Sequence, residues 1–232
     1  MKVHCAHPVS REYLGPISAD PDPLEDGNWL IPAHAYLDAP PSVPTGKTAQ
    51  RSEDGSAWEL VADHRGAVYD TSTGKAGQHA ELGELPSGLT VEAPPSGPYR
   101  WDGQTWVADL ARIHQTRTAG INTACEAAIT ASFSSEALGS LHTYSSQLDD
   151  QLNLTGAILR GLDMPYACRD ELGRKEFRLH TAAQLRQVGD DFTLYKLQLL
   201  QHANELKQQL GQALANGDAE AMELITWEAP QP

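Results

Sequence analysis

The sequence predicts an α+β protein in two parts: a small, mainly β N-terminal domain with a proline-rich extended arm, then an α+β C-terminal domain carrying one long helix. Two shifts along the chain predict it. Twelve of the 15 prolines lie at or before Pro98, and Trp58, Trp101 and Trp106 fall in a stretch dense with β-turn residues. From Leu110 onward the chain becomes rich in Ala, Leu and Gln instead. With 232 residues available for two cores, the expected domains are 1–108 and 109–232.

Residues 1–50 contain P-D-P-L, P-A-H-A-Y and A-P-P-S-V-P, where proline fixes φ and removes backbone donors. They read as irregular extended chain, with a short strand only near Trp29 and Leu30. Next, Ala57 to Val61 and Ala67 to Tyr69 flank Asp63-His64-Arg65-Gly66 and read as one hairpin. Asp70 to Gly74 turns the chain again, and Leu89-Thr90-Val91 supplies another short β segment. Asp102-Gly103 is the dipeptide that a type I′ hairpin prefers. That two-residue loop sets Tyr99 opposite Trp106, whereas a four-residue loop pairs Trp101 with Trp106. Tyr99, Trp101 and Trp106 share a face in either register, with Trp58 and Leu60 expected against them.

In the second half, Leu110, Ile113, Arg117, Ile121, Cys125, Ala128 and Ile129 recur at helical spacing and predict a helix from about Asp109 to Thr130. A hairpin with Gly139 near its turn is expected between Phe133 and Ser145. A helix from Gln147 to Arg160 follows, with Leu148, Leu152, Ala157 and Leu159 as core positions and Gly161 to stop it. Tyr166 to Asp170 and Glu176 to Leu179 form a second hairpin through Leu172-Gly173. Thr181 then caps a helix from Ala182 to Ala215, closed by Asn216-Gly217. Its stripe of Leu185, Val188, Phe192, Tyr195, Leu199, His202, Leu206 and Leu210 runs about 50 Å. Such a stripe is open to self-association, to contact with another protein, or to internal packing on the first helix.

The net charge of −14 disfavours nucleic acid and anionic membranes as partners. Residues 1–109 carry 7 Lys/Arg against 16 Asp/Glu, and the remainder 10 against 15. Three widely spaced cysteines do not make a disulfide framework, and the N-terminus lacks a signal-peptide apolar region, so a cytoplasmic setting without membrane insertion is expected.

No residue grouping forms a recognisable catalytic, cofactor or metal site. Thr45-Gly46-Lys47-Thr48 has Pro41 where a phosphate loop needs glycine. His4-Cys5-Ala6-His7 lacks a second ligand pair, and a disordered terminus is expected there. Cys168 with His180, joined by His142, is a conceivable nucleophile and base without a hydrolase spacing. Asn153-Leu154-Thr155 matches a glycosylation pattern but falls on a predicted helix.

The blocks W-E-L-V-A-D-H-R-G-A-V-Y-D-T-S-T-G, L-G-E-L-P-S-G-L-T and Y-R-W-D-G-Q-T-W, after the lead-in W-L-I-P-A-H-A-Y-L-D-A-P-P, resemble the tail fibre assembly proteins of bacteriophages and prophages. The second half resembles an uncharacterised domain attached to phage tail proteins, through A-C-E-A-A-I, L-G-S-L-H-T-Y-S and Y-A-C-R-D. The resemblance implies a chaperone, not an enzyme, which binds the C-terminal tip of a trimeric fibre in the host cytoplasm and promotes its trimerisation. In some systems such a protein stays on the fibre and takes part in receptor, including glycan, recognition. The residues of the matching blocks are Trp58, Asp63, Arg65, Gly66, Tyr69, Tyr99, Trp101, Asp102, Gly103 and Trp106, with roles either structural or in partner binding.

Overall fold

The structure, a computed structural model, describes residues 1–228 and is α+β, with strands throughout the first half and a long helix in the second. It divides into two compact units, Met1–Val107 and a second beginning at Ala108.

The first unit starts with an antiparallel pair, β1 (Lys2–Ala6) and β2 (Tyr13–Ser18), in register from Lys2↔Ser18 to Cys5↔Gly15 and shifted by one residue at Ala6↔Tyr13. β3 (Asp20–Pro21) pairs with β4 (Trp29–Leu30), and β5 (Ala35–Tyr36) adds to the free side of β1. The proline-rich arm is therefore more ordered than its composition predicts, and His4 and Cys5 lie in a strand rather than a disordered terminus. Its prolines sit where a missing donor costs little: Pro16 is on edge strand β2, and Pro21 is on a strand with a single neighbour.

β6 (Lys47–Arg51) and β7 (Trp58–Ala62) form the next hairpin, from Lys47↔Ala62 to Arg51↔Trp58. The expected pairing of Trp58 to Val61 with Ala67 to Tyr69 does not occur. Glu53-Asp54-Gly55 closes the real turn: Gly55 takes φ +73°, and the Ser52 N–H donates to the Ala57 carbonyl at 2.9 Å. Beyond it, β8 (Gly66–Asp70) lies between β9 (Ala76–His79) and β10 (Leu89–Thr90). β11 (Tyr99–Trp101) and β12 (Trp106–Ala108) complete the strand-rich half.

In the second unit, α1 (Leu110–Ala131), capped by the Asp109 carboxylate, is followed by β13 (Ser132–Ser135), β14 (His142–Ser145) and α2 (Leu148–Arg160). β15 (Met164–Arg169), β16 (Lys175–His180), α3 (Ala182–Ala215) and α4 (Ala219–Leu224) complete it. The four strands form a sheet in sequence order. Thr181 and Gln184 make a reciprocal capping box at the start of α3, and Gly161, at φ +67°, closes α2.

The length of α3 is used by two cores in series. Val188 joins Phe133, Tyr144, Leu154 and Cys168 beneath the sheet, while Leu199, Ala203, Leu206 and Leu210 pack with Ile113, Ile121, Cys125 and Ile129 of α1. Met222 of α4, fully buried, closes the second core, an element that the sequence reading did not anticipate.

The buried face of α2 also differs from expectation. Leu154 and Ala157 face inward, whereas Leu148, Leu152 and Leu159 are exposed. Ala157 is buried as expected, but the three expected leucines lie on the outer face and Leu154 takes their place, because α2 offers leucines on both sides and only tertiary packing selects one.

Leu154→Ala is expected to cost about 2–5 kcal/mol of unfolding free energy by loss of buried volume. Leu152→Ala, at 74% exposure, should fall within about 0.5 kcal/mol of the parent in urea unfolding.

Candidate functional site

In the first unit, the alternation of β6 directs Ala49 and Arg51 inward, and Arg51 is only 5% exposed. Its guanidinium carbon lies 4.0 Å from the Tyr36 ring centroid and 5.2 Å from that of Trp58. The Arg51 Nη1 donates to the Asp38 carboxylate at 2.5 Å and its Nε to the Gly55 carbonyl at 3.0 Å. The indole of Trp58 donates to the Asp38 carbonyl at 2.9 Å, and its ring meets Tyr13 and Tyr36 edge-on at 5.4 and 5.8 Å. The guanidinium hydrogen bond holds the Asp38 carboxyl below its usual range.

Trp58 thus stands against the arm rather than with Tyr99, Trp101 and Trp106 as the sequence suggested. Tyr13, Tyr36, Asp38 and Arg51 escaped notice. K-T-A-Q-R has no aliphatic alternation to mark a strand, and an inward arginine is recognisable only once its carboxylate and rings are in place.

Asp63 and Arg65 form a second support. Arg65 donates from Nε and Nη2 to the two Asp63 oxygens, at 2.8 and 2.7 Å, while Nη1 reaches Glu12 at 2.8 Å. This fork ties the loop before β8 to the β1–β2 connection and holds Asp63 at about 2, well below the usual carboxylate range. Gly66 follows at φ +130°, a conformation costly for any side chain. Tyr69, half-buried on β8, lies opposite Ala76 and Thr90.

The third support is the last hairpin. The Asp102 N–H donates to the Thr105 carbonyl at 3.1 Å, and the Asp102 carboxylate accepts from Gln104 and Thr105 N–H at 2.8 and 2.9 Å. Gly103 has φ +112°. The four-residue loop therefore holds in place of the Asp102-Gly103 two-residue loop, and Trp101 meets Trp106 at 5.3 Å between ring centroids. Trp106 is buried, donates its indole N–H to the Glu92 carbonyl at 2.9 Å, and closes with Pro94 on Gly74. Tyr99 and Trp101 stay half-buried. The predicted residues are thus distributed over three braces, and of the three rings expected on one face Trp106 is withdrawn into the unit.

In the second unit Cys168 and His180 stand at opposite ends of the β15–β16 ladder, paired with Glu176 and Met164 respectively. His180 accepts from the Tyr144 hydroxyl at 2.9 Å and donates from Nδ1 to the Arg178 carbonyl at 2.8 Å. Burial lowers its pKa and raises that of Cys168, so the imidazole is neutral and the thiol protonated. His142 bridges the Ser140 carbonyl and Arg178. The conceived nucleophile and base do not meet. Among the described residues no cluster of metal-ligating side chains forms, and no helix is long and apolar enough to cross a membrane.

These features define a two-unit α+β protein whose first unit is braced by polar and aromatic contacts and whose second has aliphatic and aromatic cores. Residues 1–61 match the family described as tail fiber assembly protein, N-terminal domain, and residues 112–226 match a domain of unknown function, DUF4376. The chain is 43% identical over 106 residues to a tail fiber assembly protein homolog of Escherichia coli, covering 45% of this chain and 50% of that one. It is 40% identical over 93 residues to the tail fiber assembly protein of Escherichia phage lambda, covering 37% and 48%. A prophage tail fiber assembly protein homolog of Escherichia coli K12, TfaR, is 41% identical over 93 residues, covering 37% and 49%. The chain spans about half the length of these curated relatives. No solved structure matches. The resemblance in the sequence is borne out by these matches: residues 1–61 are similar to the N-terminal domain of tail fibre assembly proteins and residues 112–226 to a domain of unassigned function. The first match contains the whole Arg51 brace, whereas the Trp101–Trp106 hairpin lies beyond it.

Arg51→Ala is expected to lower unfolding free energy by about 2–3 kcal/mol, through lost charge-assisted hydrogen bonds and ring contacts. Arg51→Lys should recover only part of this, because an ammonium lacks the planar fork; urea unfolding followed by tryptophan fluorescence measures both. The Asp63 carboxyl has a lowered folded-state pKa, so its contribution is present above the unfolded value near ~4 and fades as pH falls toward 2. Arg65→Gln should flatten that part of the melting temperature against pH, with little change in slope between pH ~6 and 8.

Proposed function

We infer that the protein assists assembly of a phage or prophage tail fibre, binding the C-terminal tip of the fibre chains and promoting their folding and trimerisation. The observation that carries this reading is the match of residues 1–61 to the tail fiber assembly N-terminal domain. It is supported by relatives named as tail fiber assembly proteins.

The surface of the first unit suits such a role. β2 is an edge strand that exposes Leu14 and Ile17, and the β3–β4 hairpin continuing from it exposes Trp29 and Leu30, followed by Ile31. Interleaving fibre chains present unpaired strand edges and apolar side chains before they close, and these are aggregation sites. An edge strand with exposed aliphatic residues covers such groups through backbone pairing and apolar contact. Trp58, Asp63, Arg65, Gly66 and Trp106 then serve as the rigid support, with Tyr69, Tyr99, Trp101, Asp102 and Gly103 shaping neighbouring turns and strands. Binding tighter to the assembled than to the unfolded fibre tip draws folding forward by mass action in the host cytoplasm.

Co-expression with the cognate fibre gene tests the reading. The parent protein should raise the yield of soluble, SDS-resistant fibre trimer, and Leu14→Asp with Ile17→Asp should remove most of that gain while the variant itself stays folded. Equal trimer yields with and without the protein contradict it.

A further inference from the structure

A groove of about 490 Å³ opens in the second unit between α2 and the sheet, within the size range of ligand-binding clefts. It lies at a break in the sheet. β15 pairs with β16 at all six positions from Met164 to Arg169, but β14 and β15 register only at Thr143↔Arg169. In an antiparallel ladder alternate residues direct their backbone groups to opposite sides, so part of β15 points away from β16 toward the space left by β14.

The charged side chains around this space are mostly cationic, among apolar and small polar ones. Arg160, Arg169 and Lys175 line it against a single carboxylate, that of Asp150. None of the three makes a salt bridge among the described residues; Arg169 donates only to the Gly173 carbonyl, at 3.2 Å. Phe177, on the same sheet face as Ala167, Arg169 and Lys175, is 76% exposed at the groove wall. The groove thus sets an exposed phenyl beside three cations without a salt bridge, on a chain of net charge −14.

We propose that this groove binds an extended acidic peptide segment of a partner protein, with its backbone along the open side of β15, carboxylates on Arg160, Arg169 and Lys175, and an apolar side chain on Phe177. Strand addition supplies the backbone pairing and the cationic rim selects the charge. The cations act within a screening length of ~8 Å, so they attract a short acidic segment although the whole chain repels an extended polyanion. This site is independent of the fibre-assembly reading, which rests on the first unit.

Fluorescence anisotropy on the full chain with two labelled peptides, alternating Glu-Val and alternating Lys-Val, tests the proposal. The acidic peptide should bind, more weakly as salt rises, and the basic one should not. Combined Arg160→Glu, Arg169→Glu and Lys175→Glu should weaken binding about tenfold or more, as should Phe177→Ser to a lesser degree, with unchanged thermal melts for these exposed positions. Failure of the acidic peptide to bind at millimolar concentration, equal binding of both peptides, or unaltered affinity in the triple variant overturns it. Competition by free glutamate as effective as by unlabelled peptide would also overturn it, since that marks an anion site without strand docking.

Discussion

Arg51 is charged, almost wholly withdrawn from water, and held between Tyr36 and Trp58 while it bonds Asp38 and Gly55. Removing such an ion from water costs several kcal/mol. Two hydrogen bonds to a guanidinium, at about 1.5–3 kcal/mol each, and two ring contacts of about 0.5–2 kcal/mol each are of the size needed to offset it. The residues meeting there come from four separated places: Tyr13 of β2, Tyr36 of β5 with Asp38 just beyond it, Arg51 of β6 and Trp58 of β7. Remaining buried apolar side chains of the first unit are few and mostly small, Val3, Ala6, Ala19, Ala49, Val68 and Trp106. A unit with so little aliphatic volume depends on this junction to fix its arm.

The second unit solves the same problem differently. Two aliphatic and aromatic clusters are threaded by α3, so its order follows from area removed from water. Several of its buried polar groups are paired, Tyr144 with His180, Ser135 with Asp191, and Ser146 with the Ile129 carbonyl, whereas Thr118 Oγ1 and His202 Nε2 are buried without a partner. Pairing by packing leaves the outer sheet face and one side of α2 unconstrained, and that is where the exposed Phe177, Leu152 and Leu159 lie. In the first unit, anchoring by a few directional contacts leaves β2 free as an edge.

Much of the second unit was legible because periodicity and caps agree. Thr181, Asn216-Gly217 and the stripe from Leu185 to Leu210 fix α3, while Gly139, Gly161 and Gly173 mark turns at positive φ. What the pattern left open was which face of α2 turns inward, since Leu152 and Leu154 carry the same hydrophobicity. In the first unit the turn at Asp102 to Thr105 was read with its alternatives, but strand partners were not. β7 chooses β6 rather than β8, and β1 chooses β2 across a gap containing Pro8, through pairings no local window encodes. The candidate residues were located as a region, whereas the junction that organises them was missed because an inward arginine has no periodic signature.

Proton–nitrogen NMR of the arginine side chains tests the dependence of the first unit on Arg51 most directly. The Nε–H of Arg51 should exchange slowly, be shifted upfield by the Tyr36 and Trp58 rings, and show restricted guanidinium rotation, while exposed Arg100 exchanges rapidly at an ordinary shift. An Arg51 resonance matching Arg100 in shift and exchange would contradict the account.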